Sequence, residues 1–133
     1  WKTEKPFPSW LGLWPNFKRS GGKDLSSQTR KVQSRSARAF RAAARTLDKS
    51  KSYLGAFYRR MKARLGKPKA ITATARKLAV IFYQMVKHGR TYKELGEDYY
   101  LKQQKQRQIK RLKKQAKLFG FDLVPNTPAG SDA

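Results

Sequence analysis

"KAITATARKLAVIFYQMVKH", residues Lys69 to His88, carries Ile71, Thr74, Ala75, Leu78, Ile81, Phe82 and Met85 at steps of one and three. That spacing places them on one face of a helix, and no other segment of the chain has so apolar a stripe. We therefore expect this helix to be central, with the two helices before it packed against it. Pro68 is tolerated in its first turn, and Gly89 is a suitable residue to end it. Its polar side, which includes Arg76 and Lys77, is short.

Working upstream, Leu54, Phe57, Tyr58, Met61 and Leu65 form a second helical face that Ser50 or Ser52 can cap and Gly66 can stop. Before it, "SQTRKVQSRSARAFRAAARTLDKS" repeats Ala37, Phe40, Ala44 and Leu47 at helical spacing. Arg35, Arg38, Arg41 and Arg45 lie between them, either as phosphate contacts or as a solvated flank. Pro6, Pro8 and Pro15 prevent a long helix in the first segment, where "SWLGLW" can make one short turn anchored by Trp10, Leu13 and Trp14. Residues 21–27 are small and polar and read as loop.

Downstream, Glu94, Glu97 and Asp98 form the only local group of acids. Carboxylates at this spacing can hold Mg²⁺, and acids in the opening turn of a helix also complement its dipole. From Tyr99 to Phe119 the composition is helical, with eight Lys or Arg and no acid between Lys102 and Lys117. Ile109, Leu112, Ala116 and Phe119 are its apolar stripe. The first half of this helix should thus project from the core as a basic arm offering Lys105, Lys110 and Arg111 to a polyanion. "FDLVP" is expected to dock back as a short extended piece. The fold class expected is mostly α, with about four helices, an irregular N-terminal lobe and a long basic C-terminal helix. Residues 1–124 read as one domain and residues 125–133 as a disordered tail.

Charge narrows the function. The 133 residues hold 32 Lys plus Arg against 8 Asp plus Glu, a formal charge of +24. Such self-repulsion implies a polyanionic partner, and counterion release makes nucleic acid the natural one. An acidic membrane surface ranks far below it, because no apolar run approaches the ~20 residues of a spanning helix and no signal-peptide pattern is present. Cysteine is absent, which excludes disulfides and thiolate metal sites and fits a cytoplasmic location. His88 beside Gly89 reads as a helix-end residue rather than a metal ligand or general base. Walker loops, dinucleotide fingerprints and clustered carboxylates for two-metal chemistry are also missing. Trp1 in first position leads us to expect that the chain begins partway through a longer protein.

Ser20 remains. Gly21 and Gly22 remove bulk beside it, while Lys18, Arg19 and Lys23 surround it with positive charge, so its hydroxyl is a candidate to attack a phosphodiester. Ser-Gly-Gly is also an ordinary loop sequence. No base accompanies the hydroxyl, which implies that its activation comes from outside this segment.

"FPSWLGLWPNFKRSGGK", "ARAFRAAARTL", "SYLGAFYRRMKARLGKPKAITATARKLAVIFYQMVKHGRTY" and "LGEDYY" follow one another in this order. Together they closely resemble the C-terminal transposase domain of the insertion-sequence 110/116/902 family, over roughly residues 7–124. The resemblance implies a DNA recombinase in two parts, with an upstream RuvC-like domain whose DEDD carboxylates hold Mg²⁺ and a helical domain that contributes a serine. It further implies a structured guide RNA that bridges donor and target DNA, a homo-oligomeric parent enzyme and a covalent serine link to the cut strand.

By that resemblance Ser20 inherits the nucleophile role, and Lys18, Arg19 and Lys23 become candidates for phosphate contact. Arg35 and Arg41 match two arginines of the family pattern, whereas Ser34 stands where asparagine is common. Pro6 and Trp14 also depart from the usual residues. The DEDD domain is absent from these 133 residues. The chain alone is therefore expected to bind DNA and guide RNA without cutting, and to need no cofactor of its own. A non-catalytic basic nucleic-acid-binding protein and an inactive transposase remnant are the alternatives.

Overall fold

A computed structural model describes residues 1–126, so all but the first two positions of the expected 125–133 tail lie outside the described residues. The chain is mostly helical. Helix α1 spans Pro6–Trp10, strands β1 and β2 span Lys18–Ser20 and Lys23–Ser26, and helix α2 spans Arg35–Arg45. A 3₁₀ turn, Thr46–Lys49, leads to α3 (Tyr53–Leu65), α4 (Lys67–His88) and α5 (Glu97–Leu118). No helix among the described residues is long and apolar enough to cross a membrane.

Helix α4 is central, as its stripe requires: α1, α2 and α3 all pack on it, and α5 packs on α3. The seam is built from small residues. Ala37 and Ala44 of α2 meet Ala70, Ala75 and Ala79 of α4, all fully buried, so the helix backbones approach closely. Tyr58 and Ile71 supply bulk, and Leu11 and Leu13 plug the N-terminal end of the core. Each of these leucines contributes about 1.5–3 kcal/mol of burial. Phe7 extends the packing by stacking on Phe82 at 6.1 Å and meeting Phe40 edge-on at 6.2 Å. The Tyr83 hydroxyl donates to the Trp1 carbonyl at 2.5 Å, tying the start of the chain to the end of α4.

Helix ends follow local chemistry. Ser34 Oγ accepts from the Ala37 N–H at 3.4 Å, and Ser52 Oγ accepts from the Gly55 N–H at 3.0 Å. Serine is among the preferred residues at this position, so Ser34 suffices to start α2.

Four expectations need correction. The N-terminal lobe is not wholly irregular, because residues 18–26 form a two-stranded antiparallel ribbon. Trp10 and Trp14 are not its anchors: they are exposed, while Pro8, Leu11 and Leu13 are buried. The two halves of α5 exchange roles, since Tyr100 and Gln104 are buried against α3 and the later part carries exposed Leu112 and Leu118. Finally, "FDLVP" does not dock, for Phe121 and Val124 are 71% and 76% exposed.

Candidate nucleic-acid interface

The ribbon pairs Ser20 with Lys23, Arg19 with Asp24 and Lys18 with Ser26, with a bulge between the first two positions of β1. Pro15 bridges to Thr29, and the Asn16 N–H donates to the Gln28 carbonyl at 3.0 Å, which lengthens the stem back toward the core. Gly21 and Gly22 turn the chain with φ of +56° and +77°. Two consecutive residues with positive φ define the tight turn whose twist suits a hairpin, and glycine adopts it without strain. Residues 16–25 are exposed throughout, and nothing lies within 4 Å of where a β-carbon would stand on either glycine. Ser20 is thus the last strand residue before an open turn, accessible to a large partner.

As directly opposed residues, Ser20 and its cross-strand partner Lys23 share one face of the ribbon, and the bulge separates them from Lys18. Arg19 belongs to the other face, where it forms an ion pair with Asp24. Of the three cations expected about Ser20, Lys23 is its strand partner and Arg19 is engaged by Asp24.

The remaining sequence candidates do not form one cluster. Arg35 is exposed at the start of α2. Arg41 is half-buried and donates to the Gly12 carbonyl at 3.5 Å, so part of its role is to hold the N-terminal lobe on α2. On α5, Lys110 and Arg111 share an exposed surface with Arg107, Lys113, Lys114 and Lys117. Arg107, Arg111 and Lys114 continue the helix face that Tyr100 and Gln104 use to pack on α3, so a buried face becomes a basic stripe. Lys105 falls on the opposite side, four and seven residues before Ile109 and Leu112. The four added cations were visible in the sequence as an unbroken run at helical steps, but the face they occupy depends on where α3 ends.

Two of the three acids near α5, Glu94 and Glu97, are structural. Glu94 accepts from the N–H groups of Tyr53 (2.7 Å) and Gly96 (2.9 Å) and from the Tyr92 hydroxyl (2.9 Å), closing the start of α3. Burial pushes its carboxyl up, but these three donors more than reverse that and hold it below the usual value. Glu97 accepts from Arg59 at 2.8 Å, while Arg59 also donates to the carbonyls of Ser50 (2.7 Å) and Asp48 (3.0 Å). Nothing in the helical spacing singled out Arg59, which joins the 3₁₀ turn, α3 and α5. Among the described residues no group of three or more His, Cys, Asp or Glu side chains that could hold a metal ion occurs.

Compared with known proteins, the chain matches no family model, no curated protein and no solved structure.

Proposed function

We propose that this chain is the serine-bearing, DNA-binding C-terminal part of a site-specific DNA transposase of the insertion-sequence 110/116/902 kind. The observation that carries the reading is the exposed Ser20 at the open end of a cationic ribbon, in a sequence whose four motifs resemble that family. In the proposed reaction Ser20 Oγ bonds to a strand phosphorus while the bond from that phosphorus to a sugar oxygen breaks. The serine proton passes to a base outside the ribbon, and the released sugar oxygen takes up a proton. Lys23, the strand partner of Ser20, and Lys18 in the same ribbon offset phosphate charge as the bond forms.

The basic stripe of α5 grips the DNA or guide-RNA backbone, and exposed Arg35 at the start of α2 adds a phosphate contact. The metal and the base belong to a RuvC-like domain acting with this chain, in a homo-oligomer located with the chromosome in the cytoplasm. The chain by itself binds without cleaving.

Strand exchange by the full-length protein tests the proposal. Ser20→Ala abolishes exchange while leaving DNA binding intact, and Ser9→Ala, also exposed, leaves both unchanged. Exchange at the wild-type rate in Ser20→Ala would eliminate Ser20 as nucleophile. A second reading, a non-catalytic nucleic-acid binder, is favoured by the α5 stripe, which needs no Ser20 to hold phosphates. It predicts steeply salt-dependent binding and no reaction that depends on Ser20.

A further inference from the structure

Trp14 of the N-terminal lobe, the start of α3, the middle of α4 and the connector of residues 89–96 enclose a cleft of about 680 Å³. Its walls carry three aromatic rings, Trp14, Tyr53 and Tyr92, and three cations, Arg76, Lys77 and Lys93. The Arg76 guanidinium lies 5.0 Å from the centre of the Trp14 ring, and the Lys77 ammonium lies 4.6 Å from the centre of the Phe57 ring. Both cations are half-buried, and among the described residues neither has a carboxylate within ion-pair distance. The acid of the connector, Glu94, is already engaged by Tyr53, Gly96 and Tyr92.

Burial lowers the pKa of both cations, and the charges of Arg76 and Arg107 lower that of Lys77 further. Two partly dehydrated positive charges without a counterion are unfavourable, and an anion that enters the cleft relieves them. Flat rings beside them suit a planar ligand, because bases stack on aromatic faces regardless of sequence. A cleft of this size lies within the range that holds a nucleotide-sized ligand. Helix α5, which carries the basic stripe, packs on α3, whose first residues Tyr53 and Leu54 line the cleft, and the charge of Arg107 lowers the Lys77 pKa.

We infer that this cleft takes one unpaired nucleotide of a nucleic-acid strand, its base stacked between Trp14 and Tyr92 and its phosphate held by Arg76 and Lys77. The strand then continues along the α5 stripe through Arg107. The inference rests on the proposed reading only in that the chain binds nucleic acid, and it does not require Ser20 to react.

Fluorescence anisotropy with a labelled oligothymidylate of about twelve nucleotides, and with a duplex of equal length, tests it on the whole chain. Trp14→Ala and Tyr92→Ala are each expected to weaken single-strand binding roughly 5- to 150-fold, the equivalent of ~1–3 kcal/mol per stacked base, and to leave duplex binding unchanged. Lys77→Met keeps an apolar stem over Phe57 and removes the charge, so it should reduce the single-strand salt slope by about 0.7.

With the wild-type chain, 2-aminopurine placed in the oligomer should be quenched on binding, a readout that needs no folded variant. Unchanged single-strand affinity in both aromatic variants, equal losses on duplex, or unquenched 2-aminopurine in the bound strand would overturn the assignment. Lys110→Gln with Arg111→Gln separates the two readings. If this pair weakens both ligands while the cleft variants do nothing, the cleft inference fails and nucleic-acid binding stands; if the chain binds neither ligand, both fail.

Discussion

Gly55 stands where the backbone of α3 passes the end of the 3₁₀ turn so closely that a β-carbon would lie 2.2 Å from the Ser50 carbonyl oxygen. Backbone on both sides prevents easy relief, so Gly55→Ala is expected to cost about 1–3 kcal/mol, measured by urea unfolding. Thr74 presents the opposite case, a fully buried position whose hydroxyl finds no hydrogen-bond partner in the middle of α4. Thr74→Val replaces the hydroxyl by a methyl group of similar size and is expected to raise stability by roughly 1 kcal/mol in the same assay. A loss of stability there would mean that the hydroxyl is satisfied in solution. Ser20 differs from both because it is exposed, so its replacement should leave the unfolding curve unaltered.

At the scale of elements, Glu94 is the clamp between the start of α3 and the entry to α5. Its donors hold the carboxyl below its ordinary 4.5, although burial alone would raise it. A carboxyl with a depressed folded pKa adds stability above its unfolded pKa and loses that contribution as pH falls through the folded value. Thermal unfolding should therefore show the wild type losing more stability than Glu94→Gln as pH drops below about 4.5. Parallel curves for the two proteins would contradict the clamp. Burial, with help from the hydrogen bond to Glu94, pushes Tyr92 up to about 12, and tyrosinate absorbance should find that value lowered in Glu94→Gln.

The elements differ in how plainly the sequence announces them. Helix α4 is evident from Ile71, Ala75 and Leu78 because a buried helix must repeat its apolar residues every three or four positions. The ribbon is concealed because Lys18–Ser20 and Lys23–Ser26 are solvated on both sides, and strands without a buried face show no alternation. Its one available signal was the Gly21-Gly22 pair, which favours a two-residue hairpin. The roles within α5 reversed because Gln103 and Gln104, polar in sequence, bond Tyr53 and Arg60 at the α3 contact. Of the candidate site, the exposure of Ser20 and the basic run of α5 were accessible from residue types. The Arg19–Asp24 pairing and the Arg41 contact with Gly12 depend on strand register and lobe docking, which local composition does not encode.

For the whole molecule, a charge of +24 with three ion pairs among the described residues leaves most cations free to meet phosphate. A protein that neutralises ~6–10 phosphates should lose roughly 10³–10⁵ in duplex affinity between 50 and 200 mM salt. Anisotropy titrations that give a nearly flat salt dependence would remove the nucleic-acid reading altogether. The central claim concerns what Ser20 does after binding, and it is tested by trapping the full-length protein on labelled DNA under denaturing conditions and mapping the attachment by mass spectrometry. The account predicts a nucleotide-bearing phosphoserine at Ser20 that disappears in Ser20→Ala; a covalent adduct at another residue, or one that persists in Ser20→Ala, would contradict it.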